Sequence, residues 1–423
     1  MTGRCDGRAG CVGRAGLAHR AGLARLPSSY PARLLFGIAT ASLLWLAAPS
    51  PASGLPRMAL LAGAPCATCH VAPQGGGLRS DMGWTTMNGV GAFGWHQVGL
   101  KSLAALESNG WVDGRLFVGA DVRFQNARLG RPAADGTLPA RRGVPMQMQP
   151  YLGTIPVDWL TAYGSVNLAA LPPYGHNYAG QSAWEAVAQI QPNWKWPILR
   201  VGQLQPTIGI RHDDHTMLLR ADAARPRNPL IPPGYAELGG ELSYQPKPWV
   251  QAQAGVFATR NLALADSTGA VHDDDVAWAG RAVLSPQLHD WGVNTWLGAG
   301  LHQALRSDYR LETYFAGVGR NELGALFVEV SRSLRGSGWR TLNAMSMLSW
   351  QARTWLVIEA RAERATTDDG GGGDYETSAV VGGVQFFPLP FIELRPEYRY
   401  LRVRDERGAY AMGQYTLQVH LFF

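Results

Sequence analysis

The sequence predicts an all-β fold, a large antiparallel barrel of about sixteen strands. From about residue 114 to the end of the chain, segments of roughly ten residues alternate apolar and polar side chains, with turn residues between them. Charged residues make up only 17% of the chain, whereas it has 15 Trp and 51 Gly. Long and short connections alternate between the segments. This combination is typical of outer-membrane barrels, which face lipid outside and water inside.

The N-terminal part predicts export. Residues 1–31 are rich in Gly, Ala and Arg, and Arg33 precedes an apolar run from Leu34 to Ala48. This order predicts a cleavable signal peptide: a charged residue, then an apolar run of about 15 residues, then small residues. An uncleaved anchor is the alternative, although a membrane-spanning helix needs about 20 apolar residues. We therefore assign residues 1–53 to an N-terminal extension and signal peptide, and leave the true translation start open.

Cleavage would remove two of the four cysteines, Cys5 and Cys11. The other two, Cys66 and Cys69, belong to the motif described below, so no cysteine of the mature chain would be left for a structural disulfide. The pI of about 9.2 owes much to arginines in the first 33 residues. No basic helix or aromatic-basic motif follows them, so we expect no nucleic-acid partner.

Residues 66–70 spell C-x-x-C-H, the attachment sequence of a c-type haem. Two thiols add across the two vinyl groups of one haem, and the imidazole of the next residue reaches the iron. A zinc site would need a second ligand pair, and a thioredoxin-type pair would need a βαβ setting; neither surrounds the motif. We predict one covalent haem c, with thioethers at Cys66 and Cys69 and His70 as proximal ligand.

Residues 54–113 form the predicted monohaem cytochrome c segment, ahead of the barrel at 114–423. This segment is too short to cover both faces of a haem, so we expect another part of the chain to help enclose it. The sixth iron ligand is left open. His215, in the longest connection, has acidic neighbours that can fix an imidazole tautomer, but it could equally be a loop histidine without that role. Weaker candidates, beside a five-coordinate iron, are His212, His96, Met82 and Met87.

Other residues near the motif have two interpretations each. Arg57 and Arg79 could pair with haem propionates, or be ordinary solvated charges. Gly75–Gly77 could let the backbone approach the porphyrin or adopt positive φ, or form a plain flexible turn. The acidic runs Asp273–Asp275 and Asp368–Asp369 could attract metal cations, or be solvated loop tips.

The predicted strands come in an even number, which places both chain ends at the rim with short turns. Their spans are 114–126, 146–154, 160–168, 182–191, 196–204, 235–245, 249–258, 275–285, 291–301, 308–318, 322–332, 339–350, 353–363, 374–387, 391–403 and 410–423. The long connections fall at 127–145, 169–181, 205–234, 259–274 and 364–373.

Charged side chains share one face of some strands, and charges in such numbers cannot point into a dry core. We predict that they line a wet lumen as ion pairs of mixed sign: Glu359, Arg361, Glu363, Glu393, Arg395, Glu397 and Arg399. Tryptophans near strand ends predict interfacial girdles: Trp159, Trp194, Trp196, Trp249, Trp291, Trp339 and Trp355. A soluble β-barrel or sandwich is the alternative.

A monohaem segment ahead of such a barrel resembles the fused outer-membrane cytochrome–porins, whose best-known members oxidise iron. The residues around the motif are similar to those of a related group of exported monohaem barrel proteins: Leu55-Pro56-Arg57, Gly63, Cys66, Cys69-His70-Val71, Pro73, Gly75–Gly77 and Arg79. The iron-oxidising members have a different sequence after the haem histidine. The resemblance implies electron transfer across the outer membrane of a Gram-negative bacterium, between a periplasmic carrier and an extracellular donor or acceptor, iron among the candidates.

The sequence therefore predicts an electron-transfer protein whose haem segment starts from the periplasmic side. A haem inserted into the lumen shortens the gap across a hydrocarbon core about 30 Å thick. The alternative is a diffusion porin in which the haem segment is a structural or sensory plug. No Ser/His/Asp arrangement, P-loop or dinucleotide fingerprint is recognisable, so enzymatic activity beyond oxidation or reduction is not expected.

Overall fold

The computed structural model describes residues 56–423 except 129, 173–177, 213, 215, 227, 289–290, 321–322 and 337, and the side chains of residues 56–58 also lie outside the description. The predicted extension and signal peptide at 1–53 lies outside the described residues. None of the described helices is both long and apolar enough to span a membrane.

Sixteen strands of seven or more residues form the described wall. They are β1 (Leu116–Arg128), β2 (Arg141–Val157), β3 (Leu160–Val166), β4 (Trp184–Ile190), β5 (Ile198–Leu204), β6 (Glu237–Lys247), β7 (Val250–Ala258), β8 (Val276–Leu284), β9 (Val293–Ala304), β10 (Tyr309–Arg320), β11 (Gly324–Arg335), β12 (Trp339–Arg353), β13 (Leu356–Asp368), β14 (Asp374–Leu389), β15 (Ile392–Asp405) and β16 (Gly408–Phe422). Two-residue strands, Gly110–Trp111 and Gln287–Leu288, pair with β1 and β9.

The sheet closes on itself. Each strand pairs antiparallel with the next along the chain, and β16 pairs with β1 from Leu417↔Asn126 to Phe422↔Asp121. Closure leaves no strand edge with unpaired backbone groups. Every predicted span overlaps one observed strand, so the predicted all-β barrel is confirmed. Both ends of the wall lie at the rim with the short turns.

The strands obey the predicted alternation. On β15 the side chains of Glu393, Arg395 and Glu397 are buried inside the barrel, whereas Tyr398 and Tyr400 are 44% and 42% exposed on its outer surface. The predicted lumen ion pairs are confirmed, because arginines and carboxylates of mixed sign contact one another on β13 and β15.

The predicted tryptophan girdle was wrong at one position. Trp159, Trp194 and Trp249 are exposed in or beside short turns. The side chain of Trp339 instead faces the lumen at the long-loop rim, where the guanidinium of Arg335 lies 5.5 Å from its ring. Trp339 lies on the same face of β12 as the buried Thr341 and Asn343, so strand alternation turns it inward.

The described residues also form four short α-helices: α1 (Pro56–Ala62), α2 (Asp81–Asn88), α3 (Lys101–Ala104) and α4 (Arg260–Ala265). The first two lie inside the barrel. Leu60 of α1 packs against Gly317 and Gly319 of β10, where the absence of side chains makes room for the helix. Trp84 of α2 packs with Phe391 at a ring separation of 4.4 Å.

Between the two helices, Leu78 packs against Gly119 of β1 and Gly153 of β2. Residues 59–88 therefore touch the inner wall at three separate places. We call them the lumen segment. The apolar cores of this protein lie inside the barrel, between that segment, the wall and the longest loop.

The longest loop, residues 205–236, joins β5 to β6 and crosses the lumen. Its 3-10 turn Leu218–Arg220 rests on the opposite wall. Ser331 Oγ donates to the Leu219 carbonyl (2.6 Å), and Asn343 Nδ2 donates to the carbonyl of Ala221 (2.8 Å). We call this segment the crossing loop.

Candidate functional site

The C-x-x-C-H motif forms a tight turn inside the barrel. Cys66–Thr68 is a 3-10 turn, and the His70 amide donates to the Cys66 carbonyl (3.0 Å). Both thiols are free and partly exposed. Local backbone bonding therefore holds the two thiols and the imidazole in one compact unit.

A small hairpin follows the motif. His70 pairs antiparallel with Arg79, and the Val71 amide donates to the Leu78 carbonyl (3.0 Å). At the tip, the glycines at 75–77 have φ of 88°, 71° and 64°, a region that favours glycine. A Cβ on Gly75 would lie 3.1 Å from Cys66 Cβ. The predicted positive φ is confirmed, and the hairpin folds back onto the motif.

The barrel wall holds this hairpin. Arg200 on β5 donates to Gln74 Oε1 (2.5 Å) and forms an ion pair with Glu241 on β6 (3.1 Å). Gln251 on β7 donates to the Pro73 carbonyl (3.5 Å). Charge-assisted bonds of this kind are stronger than neutral ones, so the hairpin has a defined position in the lumen.

Helix α2 packs directly on the motif. Ser80 caps it, accepting from the Gly83 amide (3.2 Å) and donating its hydroxyl proton to the Thr68 carbonyl (2.8 Å). A Cβ on Gly83 would lie 2.1 Å from the Cys69 carbonyl oxygen. Only glycine fits there. Nothing in the residues beside Gly83 predicts this constraint, because the atom that imposes it belongs to Cys69 of the motif.

A cavity of about 320 Å³ lies between the lumen segment and the wall. The lumen segment contributes Cys66, Cys69, His70 and the three glycines of the hairpin, and the wall contributes charged and aromatic groups. These wall residues are Asp121, Arg123, Arg281, Trp296, Phe387, Glu393, His420 and Phe422.

Burial raises the pKa of the Cys66 thiol, and the opposing effect of Arg281 is smaller. Burial also raises the pKa of Cys69. Reactive redox thiols and thiolate metal ligands have a lowered pKa instead. Among the described residues, no group of three or more His, Cys, Asp or Glu side chains is arranged to hold a metal ion by itself.

The chemistry of these residues fits a covalently attached haem. Two thiols at the required spacing and an adjacent imidazole line one cavity, beside glycines without side chains and arginines suited to carboxylates. Cys66 and Cys69 would hold such a group through two thioethers, and His70 would supply one axial ligand.

The predicted site residues fall into three groups. Arg79 lines the cavity with its guanidinium 4.7 Å from the Phe422 ring centre, and Met82 and Met87 line it too. Met82 is 57% exposed towards the cavity, whereas Met87 is packed among aromatic rings. Arg57, by its side chain, and His215, entirely, lie outside the described residues.

The remaining histidine candidates lie elsewhere. His96 is exposed near the short-turn rim. His212 Nε2 lies 2.9 Å from Glu329 Oε2 and lines a different cavity, of about 270 Å³, beside the crossing loop. Neither shares the cavity of the motif.

His420, on the inward face of β16, also lines the cavity of the motif, although nothing beside it in the sequence marks it as a site residue. Its Nδ1 is 3.0 Å from Glu393 Oε2 and its Nε2 is 2.5 Å from Asp121 Oδ1. Both ring nitrogens are therefore occupied by carboxylates.

The acidic runs have structural contacts. The Asp275 carboxylate accepts from the amides of Arg306 (2.9 Å) and Ser307 (2.6 Å), and that of Asp369 accepts from Gly371 and Gly373 (2.9 Å each). These bonds hold the loops and give no sign of a cation site.

The crossing loop is held by charge on its far side. Asp214 Oδ2 lies 3.1 Å from Arg361 and 3.4 Å from Arg395, and Arg399 donates to the Thr216 carbonyl (2.8 Å). Burial by itself would raise the pKa of this aspartate, but Arg361, Arg395 and Arg399 lower it well below its usual value.

Comparison with known proteins supports the fold alone. No protein-family model matches the sequence, and no curated protein matches it. The solved outer membrane channel DcaP of Acinetobacter baumannii matches 73% of this chain and 97% of its own, at 11% identity and a TM-score of 0.51. The barrel fold is therefore porin-like.

Further matches have TM-scores below 0.5. OprB of Pseudomonas putida covers 78% of this chain and 97% of its own, at 10% identity and a TM-score of 0.49. An anion-selective porin from Comamonas acidovorans covers 73% and 98%, at 12% identity and a TM-score of 0.47.

Proposed function

We propose that this chain is an outer-membrane electron conduit with one haem c, attached at Cys66 and Cys69 and ligated by His70. It moves electrons between an extracellular donor or acceptor and a periplasmic carrier. The observation that carries the proposal is that the C-x-x-C-H motif lines a cavity inside a closed barrel. The bound group supplies one-electron redox chemistry within the lumen.

The outer surface of the wall supports a membrane location. Leu152, Leu238 and Val380 are each more than half exposed on it, as expected for side chains that face lipid. Both ends of the wall lie at the short-turn rim, the periplasmic side in outer-membrane barrels. The lumen segment then enters from the periplasm.

The interior supports electron transfer over solute flow. The lumen segment contacts β1–β2, β9–β11 and the ends of β14 and β16, and the crossing loop spans the space beyond it. Electrons can cross packed protein, whereas a solute needs a continuous aqueous path. The lumen segment thus both holds the redox group and narrows the barrel.

The residues divide the work between them. Ser80 joins the start of α2 to the motif by a hydrogen bond, and Gly83 lets α2 pack closely on it because it has no side chain. Gln74 accepts a hydrogen bond from Arg200 and so attaches the hairpin to the wall. Arg79 offers a cation to a carboxylate in the cavity. The outside partner is a one-electron donor or acceptor, ferrous or ferric iron among them.

A diffusion channel is the second candidate, and the porin-like fold favours it. In that case the lumen segment is a structural or sensory plug, and solutes pass between it and the crossing loop. The two cavities offer a route, since Ile210 and Arg211 line both.

Sealed liposomes separate the two functions. They are loaded with an oxidised periplasmic-type cytochrome, the full protein is inserted, and a membrane-impermeant reductant is added outside. We expect reduction inside without solute leakage, and none in a Cys66→Ala, Cys69→Ala variant. Free leakage of small solutes without haem-dependent reduction would establish the diffusion channel instead.

A further inference from the structure

Buried arginines of the lumen have carboxylate partners. Arg200 pairs with Glu241 (3.1 Å) and Arg335 with Asp222 (2.7 Å), and the charges on β13 and β15 do likewise. This is the expected arrangement, because an isolated charge taken out of water costs several kcal/mol unless it is compensated.

Arg281 on β8 departs from this rule. It is 7% exposed, yet no carboxylate of the described residues lies within 4.0 Å of it. Nη1 donates to the carbonyl of Gly209 (2.9 Å) and Nη2 to the side-chain amide oxygen of Gln251 (3.0 Å). Both acceptors are neutral, and the buried Nε has no hydrogen-bond partner.

The position of Arg281 points to a role in binding. It lines the cavity that contains Cys66, Cys69 and His70. The crossing loop and β7 accept from two of its five N–H donors, so the guanidinium is held in place while its Nε–H has no acceptor. A cation that is held in place and lacks a carboxylate partner, and that lines a cavity, is suited to bind an anion.

We propose that Arg281 is a carboxylate-binding site, and that its ligand is a propionate of the haem attached at Cys66 and Cys69. This assignment rests on the proposed function. The same chemistry would also bind a free carboxylate passing through the lumen, so the test has one arm for each source.

The first arm uses the full-length haem protein. Arg281→Gln is expected to move the haem midpoint potential to a more negative value, because a nearby cation favours the reduced state. Arg281→Lys, which keeps the charge, is expected to stay closer to the wild type. The matched control is the pair Arg335→Gln, Asp222→Asn, which removes a buried arginine that does not line the cavity and should leave the potential unchanged.

The second arm uses the Cys66→Ala, Cys69→Ala background, which attaches no haem. Acetate selectivity of this barrel in planar bilayers is compared with and without Arg281→Gln, and heat-modifiable gel mobility confirms folding. A shifted potential in the first arm with unchanged acetate selectivity supports the propionate. Lost acetate selectivity with an unchanged potential overturns it in favour of a free anion, and no effect in either arm overturns the site altogether.

The two proposals fail differently. Wild-type protein without covalent haem would end the electron-conduit proposal and the propionate assignment together. Covalent haem with a potential indifferent to Arg281→Gln would end only the assignment to Arg281.

Discussion

Single atoms decide how closely helix α2 approaches the C-x-x-C-H motif. Gly83 lies inside that helix, where alanine normally stabilises by about 0.5–1 kcal/mol. Here a Cβ would lie 2.1 Å from the Cys69 carbonyl oxygen, a backbone atom that cannot rotate away. Packing therefore reverses the usual preference.

Gly83→Ala is expected to destabilise the protein by roughly 1–3 kcal/mol, as overpacking does, and to reduce the yield of covalent haem. Urea unfolding in detergent and haem staining on denaturing gels measure the two effects. Gly89→Ala is the matched control, since the nearest atom to its Cβ would be 3.8 Å away. Equal behaviour of the two variants would contradict the packing argument.

The two thiols have a direct chemical test. Cys66→Ala and Cys69→Ala each leave one thioether position, and the double variant leaves none, so haem staining on a denaturing gel should fall and then vanish. Folding should survive, because neither residue contributes to the hydrogen bonds between barrel strands. Staining that persists in the double variant would refute covalent attachment at this motif.

Among the elements, the crossing loop depends on one carboxylate. Asp214 contacts arginines on two strands of the opposite wall, and the neighbouring carbonyl of Thr216 accepts from a third arginine. This explains why a loop of 32 residues, 205–236, keeps one path across the lumen.

Asp214→Asn is expected to lower the free energy of unfolding by on the order of 2 kcal/mol, because a charge-assisted contact is lost. It should also raise the conductance of the barrel, because the crossing loop is held less firmly across the lumen. Urea unfolding and planar-bilayer recording measure these effects. Asp135→Asn, at an exposed loop, is the control and should change neither. Unchanged conductance in Asp214→Asn would mean that other contacts suffice to hold the loop.

The same contact predicts an acid effect. The folded-state pKa of Asp214 is depressed, so its stabilisation is complete above the unfolded pKa of about 3.9 and is lost as pH falls towards the folded value. Around neutral pH this contribution is complete, so the wild-type free energy of unfolding should not vary with pH on account of Asp214. Below about pH 4 the difference between wild type and Asp214→Asn should shrink, as followed by unfolding at a series of pH values.

At the scale of the whole molecule, the barrel and its contents have separate sources of stability. The wall is closed by strand pairing all the way round, whereas the lumen segment adds apolar contacts at three places on the inner surface. The wall can therefore form without the segment, at the cost of exposing apolar groups to lumen water.

Removing residues 56–106, with residues 1–55 kept, is expected to leave a heat-modifiable barrel with several-fold higher conductance. The reason is that the segment occupies the lumen near the short-turn rim. Single-channel recording measures the change. A conductance equal to that of the full chain would show that the crossing loop alone limits flow.

Much of this fold could be predicted because its information is local. A strand in a barrel wall has one face towards lipid and one towards water, so apolar and polar residues alternate along each strand with a period of two. The charged side chains of Glu393 and Arg395, for example, predict a water-facing inner surface from the sequence of their own strand alone. The C-x-x-C-H motif is equally local, since its chemistry needs only five consecutive residues.

The sequence by itself therefore determined the wall and its strand order, and it predicts the chemistry of one short motif. The tertiary structure alone decided which residues surround that motif. Gly83, Arg281 and His420 lie far apart in the chain, and nothing in their own neighbourhoods distinguishes them. They converge because the lumen segment packs on three parts of the wall at once, and such non-local packing leaves no periodic trace in the sequence.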